Sequence, residues 1–305
     1  METFRVHILG CGSALPTLRH TASSQVVEHG EKMYMVDCGE GTQCQLRKLH
    51  LKFNRIGHVF ISHMHGDHCF GLIGMISTFG ILGRTVPLHL WLSAELRAIL
   101  EREVEVFCTD LGYELVYHTI CPEKEMLIYE DKGLTVTTIP LSHRVPCCGF
   151  LFREKPTLPH IRRDMVDFYG IPNWRLPAIK QGEPWVTEEG VVVPAERLTL
   201  PPAPARSYAY CSDTRYLPDL HTHIRGVNLL YHESTYDSSA TERAKQFFHS
   251  TAKEAAMVAR DAEVGELLLG HFSARYNDES AILNEAAAVF PRVRLADEGM
   301  VIDVK

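Results

Sequence analysis

Short apolar runs and helix-period segments alternate from one end of this chain to the other, and that alternation restricts the fold more than any single residue does. Residues 4–9 (FRVHIL), 33–37 (MYMVD), 58–62 (HVFIS), 87–91 (PLHLW), 134–140 (LTVTTIP), 206–211 (RSYAYC), 227–232 (VNLLYH) and 266–270 (ELLLG) have the length and apolar content of buried strands. Between them, 41–49, 66–79, 94–107, 251–262 and 279–290 read as helices. Thr251 with Glu254 three residues on is a capping-box pair marking where the fourth of these begins. Strands mixed with helices over 305 residues predict an α/β or α+β layered domain, sheets at the centre and helices outside.

The alternation lapses from 154 to about 200, where Pro156, Pro159, Pro172, Pro177, Pro184 and Pro194 interrupt it, so this stretch is expected to be an insertion in a domain spanning 1–305. Apolar residues at 45% and charged residues at 23% are ordinary for a soluble chain. No run of about eighteen apolar residues exists and the first residues lack the basic and apolar regions of a signal peptide, so no membrane contact and a cytoplasmic location are expected. Nine cysteines without C-x-x-C spacing fit reduced thiols rather than a disulfide framework. A formal net charge of −7 excludes a surface that coats nucleic acid all round, and confines any RNA contact to a region.

Residues 62–68, SHMHGDH, follow the strand 58–62 and precede a helix, so His63, His65, Asp67 and His68 sit where functional groups concentrate. Two readings compete, a metal site and a solvated histidine-rich loop. Three imidazoles and a carboxylate leaving a buried strand can be aimed at one point, which favours the metal. Such a donor set takes Zn²⁺, Mn²⁺ or Fe²⁺. A catalytic centre needs further ligands, and His143, Asp213 and His271 each follow another predicted strand.

The motifs ILGCGSALPT near the start, VDCGEGTQ at 36–43, SHMHGDH, HRVP at 143–146, SDTR at 212–215, HEST at 232–235, HSTAKEAAMVA at 249–259 and HFSARY at 271–276 resemble the successive signatures of the ribonuclease Z family. These tRNA 3′-end processing endonucleases belong to the metallo-β-lactamase superfamily. The resemblance runs nearly end to end. It implies a four-layer αββα sandwich with an inserted projecting arm at 154–200, and two Zn²⁺ per subunit. It further implies His63, His65 and His143 on one zinc, Asp67, His68 and His271 on the other, and Asp213 bridging. Asp67 would also serve as proton acceptor and His249 as the donor to the departing oxygen, with Glu233 holding His249. Gly10, Gly12, Gly39 and Gly41 read as turn glycines that let loops approach the cleft, and Ser13, Pro16 and Thr17 are implied to lie beside the RNA 3′ region.

The arm of this family clasps tRNA, and here residues 153–180 carry Arg153, Lys155, Arg162, Arg163, Arg175 and Lys180 against Glu154, Asp164 and Asp167, with Phe168, Tyr169 and Trp174 interleaved. Arg162, Arg163, Arg175 and Lys180 are therefore candidate RNA contacts; a solvated basic hairpin is the alternative. Arg275 follows a ligand and reads as a phosphate contact or a structural ion pair. The chain departs from the family pattern in lacking a glycine-proline pair in the arm and in having Ser212 where glycine is usual. The resemblance implies a zinc-dependent endoribonuclease, homodimeric, acting on precursor tRNA. A small-molecule phosphodiesterase or arylsulfatase-like hydrolase with the same centre is the alternative, and a metal-free RNA-binding relative would require missing ligands, of which there are none.

Overall fold

The computed structural model describes residues 2–305, and its first unit, Glu2–Arg153 with Arg206–Lys305, pairs the apolar runs into two seven-stranded sheets. Their strands are β1 (Phe4–Gly10), β2 (Ser24–His29), β3 (Lys32–Cys38), β4 (Ile56–Phe60), β5 (Leu88–Leu92), β6 (Leu115–Thr119), β7 (Leu127–Glu130), β8 (Leu134–Pro140), β9 (Cys148–Glu154), β10 (Ser207–Cys211), β11 (Leu229–Glu233), β12 (Glu266–Gly270), β13 (Val293–Leu295) and β14 (Val301–Asp303). The first sheet runs β14-β1-β2-β3-β4-β5-β6 and the second β13-β12-β11-β10-β9-β8-β7. In the first, β3 to β6 are mutually parallel; in the second, β10 to β13 are.

The residue pattern of β3 explains the layering. Successive side chains of a strand point to opposite faces, and both faces of Met33-Tyr34-Met35-Val36 are apolar and buried. Tyr34 and Val36 join Val6, Ile8 and Phe60 in one cluster with Val136, Phe150, Phe152, Tyr208 and Tyr210 of the second sheet, so the two sheets face each other. Met33 and Met35 instead pack with Leu72, Met75, Ile76 and Phe79 of α2 (Leu72–Ile81) and with Leu96 and Leu100 of α3 (Ala94–Phe107), preceded in the chain by α1 (Thr42–Lys48). The outer face of the second sheet is covered by Ala252, Ala255, Ala256 and Ala259 of α5 (Ala252–Asp261) and by Ile282 and Ala286 of α6 (Ser280–Ala287), with α4 (Thr241–Phe247) preceding them. Helices, sheet, sheet and helices make the four-layer αββα order.

The helix expected over 66–79 is broken. Gly66–Cys69 is a single turn and α2 starts at Leu72, because Gly71 lies against the chain of β3: its N–H bonds the Cys38 carbonyl at 2.9 Å, and a Cβ there would stand 2.1 Å from the Gly39 carbonyl oxygen. Strands β2, β6, β7, β9, β13 and β14 and helix α4 had no clear signal in the sequence.

The second unit, Glu154–Ala205, has a small core of its own built from Val166, Ile171, Ile179, Val193, Ala195 and Leu198. It holds three short helices, Arg163–Phe168, Leu176–Lys180 and Ala195–Leu198, and two short strand pairs, so its prolines punctuate structure rather than abolish it. Across the whole unit six lysines and arginines meet seven aspartates and glutamates, so the positive excess is confined to its first half. Arg162 is paired with Asp164 at 2.8 Å and Arg175 with Glu183 at 3.4 Å; Arg163 is exposed and Lys180 half-buried. Among the described residues no helix is long and apolar enough to cross a membrane.

At the start of α5, the Thr251 side chain accepts the Glu254 N–H at 3.3 Å while the Glu254 carboxylate accepts the Thr251 N–H at 2.8 Å, the capping box read from the sequence. Replacing Thr251 by Ala is expected to lower unfolding free energy by about 1 kcal/mol in urea titration, with Ser restoring most of it. An unchanged midpoint for the alanine variant would show that the cap contributes nothing.

Candidate metal centre

The centre is assembled where strands end. Asp37 is the next-to-last residue of β3, His63 and His65 follow β4, His143 follows β8, Asp213 follows β10, Glu233 closes β11 and His271 follows β12. Parallel strands deliver their carboxyl ends to the same edge of a sheet, which is where open α/β layers place ligands. Asp67 and His68 lie on the helical turn Gly66–Cys69. Three of these residues take the left-handed backbone that disfavours side chains, Asp37 at φ 58°, Asp213 at φ 57° and His271 at φ 60°. Ala14 at φ 53° and Phe248 at φ 60° do so as well, and both turn a backbone group onto a centre residue. The Ala14 N–H bonds Asp67 Oδ2 at 2.8 Å and the Phe248 carbonyl meets His143 Nδ1 at 3.1 Å.

Hydrogen bonding behind the histidines decides which nitrogens face inward. His68 Nδ1 donates to Asp37 Oδ2 at 2.7 Å, His271 Nδ1 to Thr235 Oγ1 at 2.9 Å, and His143 Nδ1 to the Phe248 carbonyl. Ser62 Oγ donates to Asp37 Oδ2 at 2.9 Å and so accepts from His63 Nδ1 at 3.0 Å. In its neutral form each of these four rings turns the Nε2 lone pair inward, and with His65 Nδ1 these nitrogens converge in two groups. In one, His65 Nδ1 stands 3.0 Å from His63 Nε2 and 3.2 Å from His143 Nε2. In the other, His68 Nε2 and His271 Nε2 are 3.4 Å apart and each is 3.5 Å from Asp67 Oδ2. Asp213 lies between the groups, with Oδ2 at 2.8 Å from His68 Nε2 and 3.1 Å from His271 Nε2, and Oδ1 at 3.7 Å from His143 Nε2.

Inward lone pairs separated by about 3 Å with two carboxylates among them are a donor set for divalent cations, and all seven residues expected as ligands are brought together in it. Burial holds His63, His65 and His143 below the ordinary histidine range, in the neutral form a metal needs. At His68 burial acts in the same direction but is outweighed by Asp213, Asp67 and Asp37, which hold its imidazole well above that range and mark the position as one that favours positive charge. Asp67 and Asp213 are pulled well below the usual carboxylate range, the imidazoles His68 and His271 overcoming their burial.

Beside this centre, His249 Nδ1 is 3.0 Å from Glu233 Oε1 and 3.7 Å from Asp213 Oδ1. Burial alone would lower the His249 pKa, but the charge and hydrogen bond of fully buried Glu233 raise it to about 9. Glu233 also accepts the Thr214 N–H at 2.7 Å and the Thr235 hydroxyl at 2.6 Å, so the same carboxylate orients His249 directly and His271 through Thr235. The open side is a cleft of about 430 Å³ lined by Ala14, Pro16, Ala22, Glu40, His65, Gly66, Asp67, Phe70 and Arg144. Arg275 is exposed and lies over the Tyr236 ring at 5.2 Å, which replaces the ion pair considered for it with a cation–π contact.

Two residues that organise the centre carry no local signal of that role. Asp37 was visible only as part of VDCGEG and Thr235 as part of HEST; their partners are 25 or more residues away in the case of Ser62, His68 and Tyr210, and 36 away for His271.

A protein named Ribonuclease Z from Bacteroides thetaiotaomicron is 56% identical over 304 residues, covering 100% of this chain and 96% of that protein. One of the same name from Phocaeicola vulgatus is 55% identical over 305 residues, covering 100% and 99%. The solved structure of human tRNase Z, short form, superposes with a TM-score of 0.72 at 27% identity and 99% coverage of both chains. The metallo-beta-lactamase fold protein YhfI from Bacillus subtilis superposes at 0.69 with 18% identity, over 99% of this chain and 100% of that one, and shares the fold. A family model described as anti-Pycsar protein Apyc1 matches residues 4–158.

Replacing Asp37 by Asn keeps its shape and removes the charge that fixes the His68 tautomer. Divalent-ion affinity is expected to fall about 10–100-fold in a competitive chelator titration. Wild-type affinity in that variant would remove Asp37 from the account.

Proposed function

The chain belongs to the ribonuclease Z family, and from that premise we propose that it removes the 3′ trailer from precursor tRNA, leaving a 3′-hydroxyl on the tRNA and a 5′-phosphate on the trailer. The observation that carries the reading is the convergence of seven inward-facing donors in one cleft with a raised-pKa histidine beside them. His63, His65 and His143 would hold one zinc, Asp67, His68 and His271 a second, and Asp213 both. Two such ions supply Lewis acidity toward a phosphoryl oxygen and acidify water near neutral pH.

The chain's own residues then have distinct tasks. Asp67, kept ionised and fixed by the Ala14 N–H, accepts the proton of the attacking water. His249, protonated below its pKa of about 9, gives a proton to the departing 3′ oxygen as the P–O bond breaks. Glu233 keeps that imidazole charged and aimed. The exposed Arg163 and Trp174, with Arg162, Arg175 and Lys180, are proposed to meet the tRNA away from the cut, Arg175 lying 5.6 Å from the Trp174 ring centre. Arg275 is proposed as a phosphate contact near the cut. Nine free thiols agree with a cytoplasmic location, and exposed Leu15, Leu18, Phe70 and Ile81 agree with a homodimer in which one copy's arm holds the tRNA cut by the other.

Purified protein loaded with zinc is expected to cut a 3′-extended tRNA precursor at a single position beside the acceptor stem, and to lose that activity with chelator. Hydrolysis of bis(p-nitrophenyl) phosphate with no cut in the RNA would move the function to a small-molecule hydrolase. The alkaline limb of kcat is expected below the metal-free His249 value of about 9, because dications held by Asp213 and Asp67 offset the carboxylates that raise it, and activity is lost as pH rises and the donor deprotonates. Replacing Glu233 by Gln removes the charge holding that proton, so the limb should move toward lower pH; a limb that stays in place would separate His249 from the leaving group. Replacing residues 155–204 with a short glycine-serine linker should cut tRNA processing at least about tenfold while small-ester hydrolysis changes little. Equal losses on both substrates would take the arm out of substrate binding.

A further inference from the structure

Apart from the seven donors of the centre, a second convergence of sulfur, nitrogen and oxygen lies under the loop that follows β1. Cys11 is fully buried, and its Sγ is 3.3 Å from His20 Nδ1, which in turn is 2.9 Å from Glu298 Oε2. The three atoms lie within 4.8 Å of one another, close enough for one ion to reach all of them. Glu298 is held in place by its other oxygen, Oε1, which accepts the N–H groups of Thr21 at 2.8 Å and Cys11 at 3.3 Å. Oε2 is thereby directed at the histidine.

The far side of His20 gives an independent sign. His20 Nε2 and Glu279 Oε1 face each other at 3.5 Å, both buried, and neither makes a hydrogen bond, although Glu279 is anchored through Oε2 to Arg19. A metal-bound imidazole characteristically presents its second N–H to a carboxylate, and Glu279 stands in that position. A thiolate and a carboxylate together neutralise a divalent ion, which suits a dry interior. A cleft of about 350 Å³ lined by Arg19, His20, Glu279, Leu295, Ala296 and Asp297 opens onto the histidine and gives an ion a way in.

We propose that Cys11 Sγ, His20 Nδ1 and Glu298 Oε2 form a separate structural site for a divalent transition-metal ion of the zinc class, with Glu279 orienting His20. Binding releases the Cys11 thiol proton to solvent and forms a metal–sulfur bond. The ion fastens the loop of Cys11–His20, whose Ala14 N–H holds Asp67, to the chain near Glu298.

Cobalt separates this site from the other centre, because no ligand expected there is a sulfur. Full-length protein stripped with chelator and titrated with Co²⁺ is expected to develop a near-ultraviolet thiolate-to-cobalt charge-transfer band whose final amplitude corresponds to one thiolate-bound cobalt per chain, however many ions the imidazole and carboxylate centre takes. Cys11→Ser should lose the band and one bound ion. Glu298→Gln, which keeps the thiol, should weaken the cobalt affinity read from the band at least about tenfold. No band in the saturated wild type means that His20 is merely an imidazolium between two carboxylates, and overturns the proposal without recourse to any variant. A band that survives Cys11→Ser assigns the sulfur to one of the other eight cysteines and overturns it equally.

Discussion

One buried carboxylate fixes how the two sheets meet at the metal centre. Asp37 accepts from Ser62 N–H at 2.7 Å through Oδ1, and from Ser62 Oγ, His68 Nδ1 and Tyr210 OH through Oδ2. From β3 of the first sheet it reaches the loop after β4, the helical turn Gly66–Cys69 and the second sheet. Burying an ion costs several kcal/mol unless good hydrogen bonds surround it, and four donors, one of them an imidazole, provide that compensation. The consequence is directional: with His68 Nδ1 committed to Asp37 and Ser62 Oγ committed outward, His68 and His63 both present Nε2 to the centre. A polar tier behind the ligands thus determines their chemistry before any ion arrives.

Glu233 plays the matching part on the second sheet. It is fully buried, and it holds His249 through one oxygen and Thr235, hence His271, through the other. The proposed proton donor and a proposed metal ligand are therefore oriented by one side chain at the end of β11. Damage to either carboxylate propagates to two histidines at once, which makes single substitutions there poor measures of any one ligand.

How much of this could be read from the sequence depended on where the signal is stored. Strands such as β8 and β12, apolar and bounded by turns, were legible to the residue. β2 was not: it opens with Ser24 and Gln25, both buried, and the Gln25 side-chain oxygen is satisfied by the hydroxyl of Tyr208, 183 residues away. β13 and β14 are three residues each, too short to show a period. The seven candidate ligands were legible because each follows a strand or shares one short motif. Asp37 and Thr235 were not, since their importance lies in distant partners. Charge in the arm was only half legible, because Glu183 lies beyond the basic stretch yet pairs with one of its arginines.

The left-handed turns at Asp213 and His271 have an effect on how such a chain can change over time. Each side chain held at positive φ costs ~1–3 kcal/mol that glycine would relieve. Folding alone therefore rewards the loss of these two residues, and only the centre retains them, whereas Asp37, also at positive φ, is kept by the four buried donors it satisfies. Selection for heat resistance, applied without a test of activity, would drift first toward glycine or asparagine at the ends of β10 and β12 and yield a sturdier sandwich with an empty edge. A relative of this architecture that has abandoned catalysis should bear that signature at these two turns before its core shows any change.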